Sequence, residues 1–208
     1  MSKNLLEIDS AFALHYRGLI DIQRSIINEI REYTFDLTKE EITDAVIERM
    51  YAFWHFNVTN NKELLKRNIN TTAADFFTET CLLFFKAYFE KNENFKVCSE
   101  IVLGRDPIVR PDISIWHKTE LLAVIELKVS AGWKGNSILP HLYEREEQIK
   151  RIAPNAYFGV IAFWNFFDTT DKNWNSKYFG LLNFDKANNH IRTDSSIENL
   201  IVKINKYI

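Results

Sequence analysis

Cysteine, proline and glycine are all scarce in this chain, and each scarcity removes a class of protein. Two cysteines in 208 residues leave no disulfide framework and no thiolate-rich metal site. Cys81 and Cys98 both fall inside predicted elements and are expected as buried thiols. Six glycines and four prolines are too few for a collagen-like or low-complexity chain. No run of eighteen apolar residues occurs, so no membrane span is expected. The amino terminus has no basic segment leading into an apolar one, so a secretory signal is not expected either, and a cytoplasmic location follows. An excess of one charge is also missing. With 26 basic and 28 acidic residues the net charge is -2, which is not the global signature of a nucleic-acid binder. Any positive field must then be confined to one groove. Lys62, Lys66 and Arg67, and further on Arg145, Lys150 and Arg151, fit such a groove no better than they fit ordinary solvated helix faces.

What is present is apolar mass, with 46% hydrophobic and 14% aromatic residues. That suffices for one substantial core with elaborations. Helical spacing runs over residues 12–33 and 39–56, the second opened by a Thr38/Glu41 capping box. Residues 57–70 read as a connection, which divides the chain into an N-terminal helical extension, 1–68, and a core, 69–208. The extension is expected to serve packing or a homodimer. In the core a helix over 73–91 is capped near Thr72, a strand follows over 95–103, and Pro140 opens a helix to residue 152. Strands over 157–164 and 178–184 and a helix from Ser195, with Glu198 completing a capping box, finish the chain. Trp164, Phe166, Phe167 and Trp174 crowd one segment, fit for base stacking or for the core.

The densest information lies in Arg110-Pro111-Asp112-Ile113-Ser114-Ile115-Trp116 and Leu121-Leu122-Ala123-Val124-Ile125-Glu126-Leu127-Lys128. The first run alternates in the strand period and the second is an apolar run too short for a typical helix, so the two predict a hairpin across His117 to Glu120. If Trp116 pairs with Leu122, Asp112 falls opposite Glu126. Two carboxylates facing each other repel, so a positive group is expected between them. Glu126 and Lys128 share a face, and the Leu127 carbonyl lies beside the same pocket. Such oxygens suit a hard divalent cation that keeps several waters. Lys128 then orients or deprotonates a water, or stabilises charge on a phosphoryl oxygen. A helix between this hairpin and the strand over 157–164 makes the next pairing parallel, so the sheet is mixed.

Pro111-Asp112, then thirteen residues, then Glu126-Leu127-Lys128 resembles the signature of the PD-(D/E)xK phosphodiesterase superfamily, which includes restriction endonucleases and many repair and recombination nucleases. The resemblance covers residues 70–165. It implies an α/β fold with a restriction-endonuclease-like core, a central mixed β-sheet flanked by helices, preceded here by the helical extension. It also implies Mg²⁺-dependent hydrolysis of phosphodiester bonds, with Mn²⁺ as a substitute, and DNA as the usual substrate; nothing in these residues separates DNA from RNA. Asp112, Glu126 and the Leu127 carbonyl are the implied metal ligands and Lys128 the catalytic lysine. An auxiliary carboxylate comes from Glu79 or from Glu100, and that choice stays open. Gln148 matches a glutamine often found in the following helix. Arg145 is expected by helical spacing to face the same groove as Glu126. Trp133 and Lys134 sit in a glycine-punctuated, substrate-facing loop. The competing readings are a non-catalytic nucleic-acid-binding or assembly module on the same fold, and a small-phosphoester hydrolase, which requires a closed pocket.

Overall fold

The computed structural model describes residues 4–68, 71–131, 138–166, 174–183 and 191–208. The chain divides into two compact units, residues 1–34 and 35–208. The expected boundary at 68/69 lies within the second unit, whose first helix is fastened to Glu198.

The first unit is one helix, α1 (Leu5–Glu32), opened by a reciprocal capping box between Asn4 and Glu7. Asn4 accepts from the Glu7 N–H and the Glu7 carboxylate accepts from the Asn4 N–H, which satisfies two orphan donors and extends the helix well before the expected start at residue 12. None of its residues is buried.

The second unit is α/β. It comprises α2 (Glu41–Val58), a π-helical turn (Thr59–Leu64), α3 (Ala74–Phe89), β1 (Phe95–Ser99), β2 (Ile113–His117), β3 (Glu120–Lys128), α4 (Ile138–Ile152), β4 (Tyr157–Asn165), β5 (Tyr178–Asn183), β6 (Ile191–Arg192) and α5 (Ile197–Ile204). The six strands form one sheet in sequence order. β1-β2-β3 and β5-β6 pair antiparallel, and β3-β4-β5 pair parallel. β3 and β4 are buried along nearly their whole length, as strands covered on both faces must be. On one face Phe163 meets Phe77 of α3 and Tyr51 of α2. On the other, Val124, Val160 and Ala162 pack with Leu142 and Ile149 of α4 and with Trp174.

The expected capping box of α2 does not form. Thr38 donates from its N–H and hydroxyl to Asp36 instead, and Glu40, at the N-cap, makes no side-chain cap. Glu198 caps this helix from the far end of the chain: its buried carboxylate accepts from the N–H of Ile42 (2.6 Å), the N–H of Thr43 (3.2 Å) and the Thr43 hydroxyl (2.6 Å). The Thr43 hydroxyl in turn accepts from the Ile197 N–H at 2.8 Å. Glu198 therefore does not complete a box on its own helix, where the Ser196 hydroxyl accepts from the Asn199 N–H. Thr72 does not cap α3, which opens at Ala73 without a side-chain cap.

The strand expected to reach residue 103 stops at Ser99. Glu100 takes φ 54°, a left-handed conformation that breaks the strand, and the chain returns through a short bridge between Leu103 and Val109. Gly104 sits in that excursion at φ 70°, where a Cβ would lie 2.5 Å from the Pro107 carbonyl oxygen, so glycine is required there.

Candidate active site

The hairpin register near the motif is the expected one. Ile113 lies opposite Ile125 and Ile115 opposite Ala123, which places Asp112, one residue before β2, level with Glu126. A bulge after Ile115 leaves Leu122 unpaired and sets Trp116 opposite Leu121 rather than Leu122. The slip lies beyond the motif and leaves the carboxylates in register.

Backbone and side chains lock these residues together. Asp112 Oδ2 accepts from the Leu127 N–H at 2.6 Å. Lys128 Nζ lies 3.1 Å from Glu126 Oε2, 3.0 Å from the Leu127 carbonyl oxygen and 3.5 Å from Asp112 Oδ2. Three oxygens from two strands thus converge on one point, held by the lysine ammonium. The positive group expected between the carboxylates is Lys128 itself.

Glu126 is 3% exposed, and burial pushes its carboxyl above the usual carboxylate range. Asp112 reinforces that shift, while Lys128 and Arg145 oppose it. Arg145 reaches in from α4 with Nε 3.4 Å from Glu126 Oε1, yet neither atom completes a hydrogen bond. A buried carboxylate oxygen without a donor is costly unless something else satisfies it. The constellation of Asp112, Glu126, Lys128 and Arg145 is formally neutral.

In front of it opens a cavity of about 580 Å³ whose wall includes Asp75, Thr78, Glu100, Asp112, Lys128 and His141. Of the two candidates for an auxiliary carboxylate, Glu100 lines this cavity. Glu79 is exposed and does not. From α3 the cavity wall takes Asp75 and Thr78; Glu79 follows Thr78 by one residue, about 100° further round the helix. Asp75 is the acid that sequence reasoning passed over, and its position at the helix start beside Thr72 was the available signal. Among the described residues no group of three or more His, Cys, Asp and Glu side chains converges in ligand geometry; what converges is two carboxylates and a carbonyl.

Gln148 donates to Glu144 at 3.3 Å and is not in the cavity wall. α4 begins at the site and runs away from it by about 5.4 Å per turn, so His141 is at the cavity, Arg145 reaches Glu126 and Gln148 is too far along. Trp133 and Lys134 lie outside the described residues, as does Phe167. The other aromatics of that segment pack inward: Trp174 against Tyr143 and Phe158, Phe166 on Tyr178, and Trp164 on Trp54.

Comparison with family profiles, with curated proteins and with solved structures gives no match. No helix among the described residues is long and apolar enough to cross a membrane.

The raised Glu126 carboxyl has a measurable consequence. Its ordinary value is 4.5, so its protonated form contributes stability fully below that pH and loses it as pH rises through the raised folded value. In EDTA, Glu126→Gln should therefore become steadily more stable relative to wild type as pH rises above 4.5, by up to about 1.4 kcal/mol per unit across that window. Urea denaturation of both proteins between acid and mildly alkaline pH measures the difference, and a pH-independent gap would show that folding does not shift the Glu126 carboxyl.

Proposed function

We propose that the chain is a metal-dependent nuclease of the PD-(D/E)xK type, on a restriction-endonuclease-like core, that hydrolyses phosphodiester bonds within DNA. The observation that carries this reading is the convergence of Asp112, Glu126 and the Leu127 carbonyl on one point at the wall of an open, acidic cavity. Two carboxylates and a neutral carbonyl are the donors a small hard cation takes when it keeps water in its remaining positions. Glu126 turns Oε2 to this point and Oε1 to the Arg145 guanidinium, so its carboxylate is oriented from both sides. Asp75 and Glu100 add negative charge to the cavity wall, which alone would repel a phosphate. Asp112, Glu126 and the Leu127 carbonyl would hold a divalent ion such as Mg²⁺, or Mn²⁺ in its stead, which would supply Lewis acidity toward the phosphoryl oxygen and the attacking water.

The chain's own residues do the rest. The Leu127 N–H fixes the Asp112 carboxylate, so that side chain is oriented before any ligand arrives. Arg145 sits against Glu126 and favours its ionised form against the burial that opposes it. Among the described residues, Lys128 carries the only ammonium in the cavity wall. Released from the three oxygens, it stabilises the charge that develops on the scissile phosphate or on the water that attacks it. The open cavity favours a polymer over a closed small-phosphoester site.

Supercoiled plasmid, linear duplex, single-stranded and branched DNA and RNA, each with Mg²⁺, Mn²⁺ or EDTA, test the reading. Nicking or linearisation of the plasmid that requires the metal is the expected result. Binding without cleavage of any substrate would move the chain to the assembly-module class, and hydrolysis confined to small phosphate esters would move it to the other.

A further inference from the structure

α1 carries its apolar residues outward. Ile8, Phe12, Tyr16, Leu19, Ile22 and Ile26 are between 40% and 67% exposed, and with half-buried Ile30 they form one stripe, spaced by three or four residues as a single helix face requires. An exposed apolar stripe of this length marks an interaction surface. Its spacing identifies the occupant. Counting outward from Leu19, apolar residues follow at three, seven and eleven positions in both directions: Tyr16, Phe12 and Ile8 one way, Ile22, Ile26 and Ile30 the other. The polar residues on this face, His15 and Gln23, are also equidistant from Leu19.

We infer that α1 is a dimerisation helix that pairs antiparallel with α1 of a second copy, on a two-fold axis at Leu19. In that arrangement Ile8 faces Ile30 and Phe12 faces Ile26 along the seam, while Tyr16 with Ile22 and His15 with Gln23 stand at equal heights on its two flanks, so the stripe is self-complementary, as an isologous interface demands. Asp9 comes within one turn of Arg31 of the second copy on the same flank, whereas a parallel pair sets Asp9 against Asp9. The area suffices. A standard interface takes about 800 Å² from each partner, and seven large, mostly exposed side chains along a helix about 42 Å long supply that order of surface.

Sedimentation of the full chain at micromolar concentration should give a dimer. Leu19→Asp places two carboxylates on the axis and should weaken the dimer more than 100-fold with helicity by circular dichroism unchanged. Orientation is read by a short bismaleimide in a Cys98→Ser background. Ile8→Cys mixed with Ile30→Cys should cross-link between chains, while Ile8→Cys alone should not. A wild-type monomer at these concentrations overturns the inference, showing the stripe to be covered by the rest of its own chain. Cross-linking of Ile8→Cys to itself overturns the antiparallel geometry.

Discussion

Lys128→Met should lose plasmid cleavage by at least about 10²–10³-fold and, in the same protein, bind Ca²⁺ more tightly than wild type. The two changes have one cause. The ammonium that would stabilise charge on the phosphate is also the group held by the Asp112, Glu126 and Leu127 oxygens in the free protein. A divalent ion must displace it, and a methionine removes that competitor while keeping the side-chain length. Removing the lysine also leaves Asp112 and Glu126 with Arg145 as their one positive neighbour among the described residues of the site, so the metal-free variant should be less stable above the Glu126 titration and should recover on adding Ca²⁺. Isothermal titration with Ca²⁺ and a cleavage time course in Mg²⁺ measure both signs. Weaker Ca²⁺ binding would show that Lys128 supports the ion site instead of competing for it, and wild-type cleavage would remove the lysine from the chemistry.

Glu198→Ala should lower the thermal midpoint of the second unit by roughly 6–12 °C, the shift expected when about 3 kcal/mol is lost from a domain of this size. The loss follows from what the carboxylate does. It satisfies two backbone N–H groups and a hydroxyl at the buried start of α2, and alanine leaves all three without an acceptor. Glu198→Gln retains one oxygen for the two N–H groups and should cost less than half as much. Differential scanning calorimetry on the three proteins orders them. A shift under 2 °C for the alanine variant would mean that water replaces the carboxylate there.

The sequence and the structure agree best on the elements that carry the motif. The β2-β3 hairpin, the pairing of Asp112 with Glu126 and the mixed sheet follow from alternation, an apolar run and one crossover helix, all within some fifty residues. The bulge at Leu122 did not, because a polar turn of fixed length does not reveal which strand carries the extra residue. Asp75, which lines the cavity from α3, was hidden for a related reason: the stripes on that helix are broad and do not tell which of its acids looks toward the site. Arg145 was placed on the right face by helical spacing, but its engagement with a buried glutamate depends on the depth of Glu126, which no pattern encodes. Glu198 was least legible. It satisfies a capping pattern on its own helix and spends its carboxylate on another, a choice set only when α2 and α5 pack.

That long-distance cap also sets an order of events during synthesis. Ile42 and Glu198 are 156 residues apart, and at about 5–20 residues per second the ribosome needs on the order of ten seconds or more to cover that interval. Until then the first turn of α2 is made but unlatched, its leading N–H groups facing water and its apolar side waiting for α5. The nascent chain is thus committed to finishing late, with the sheet translated before α5 can close on α2, and termination between residues 128 and 198 yields a chain that carries every motif residue but leaves α2 unsecured.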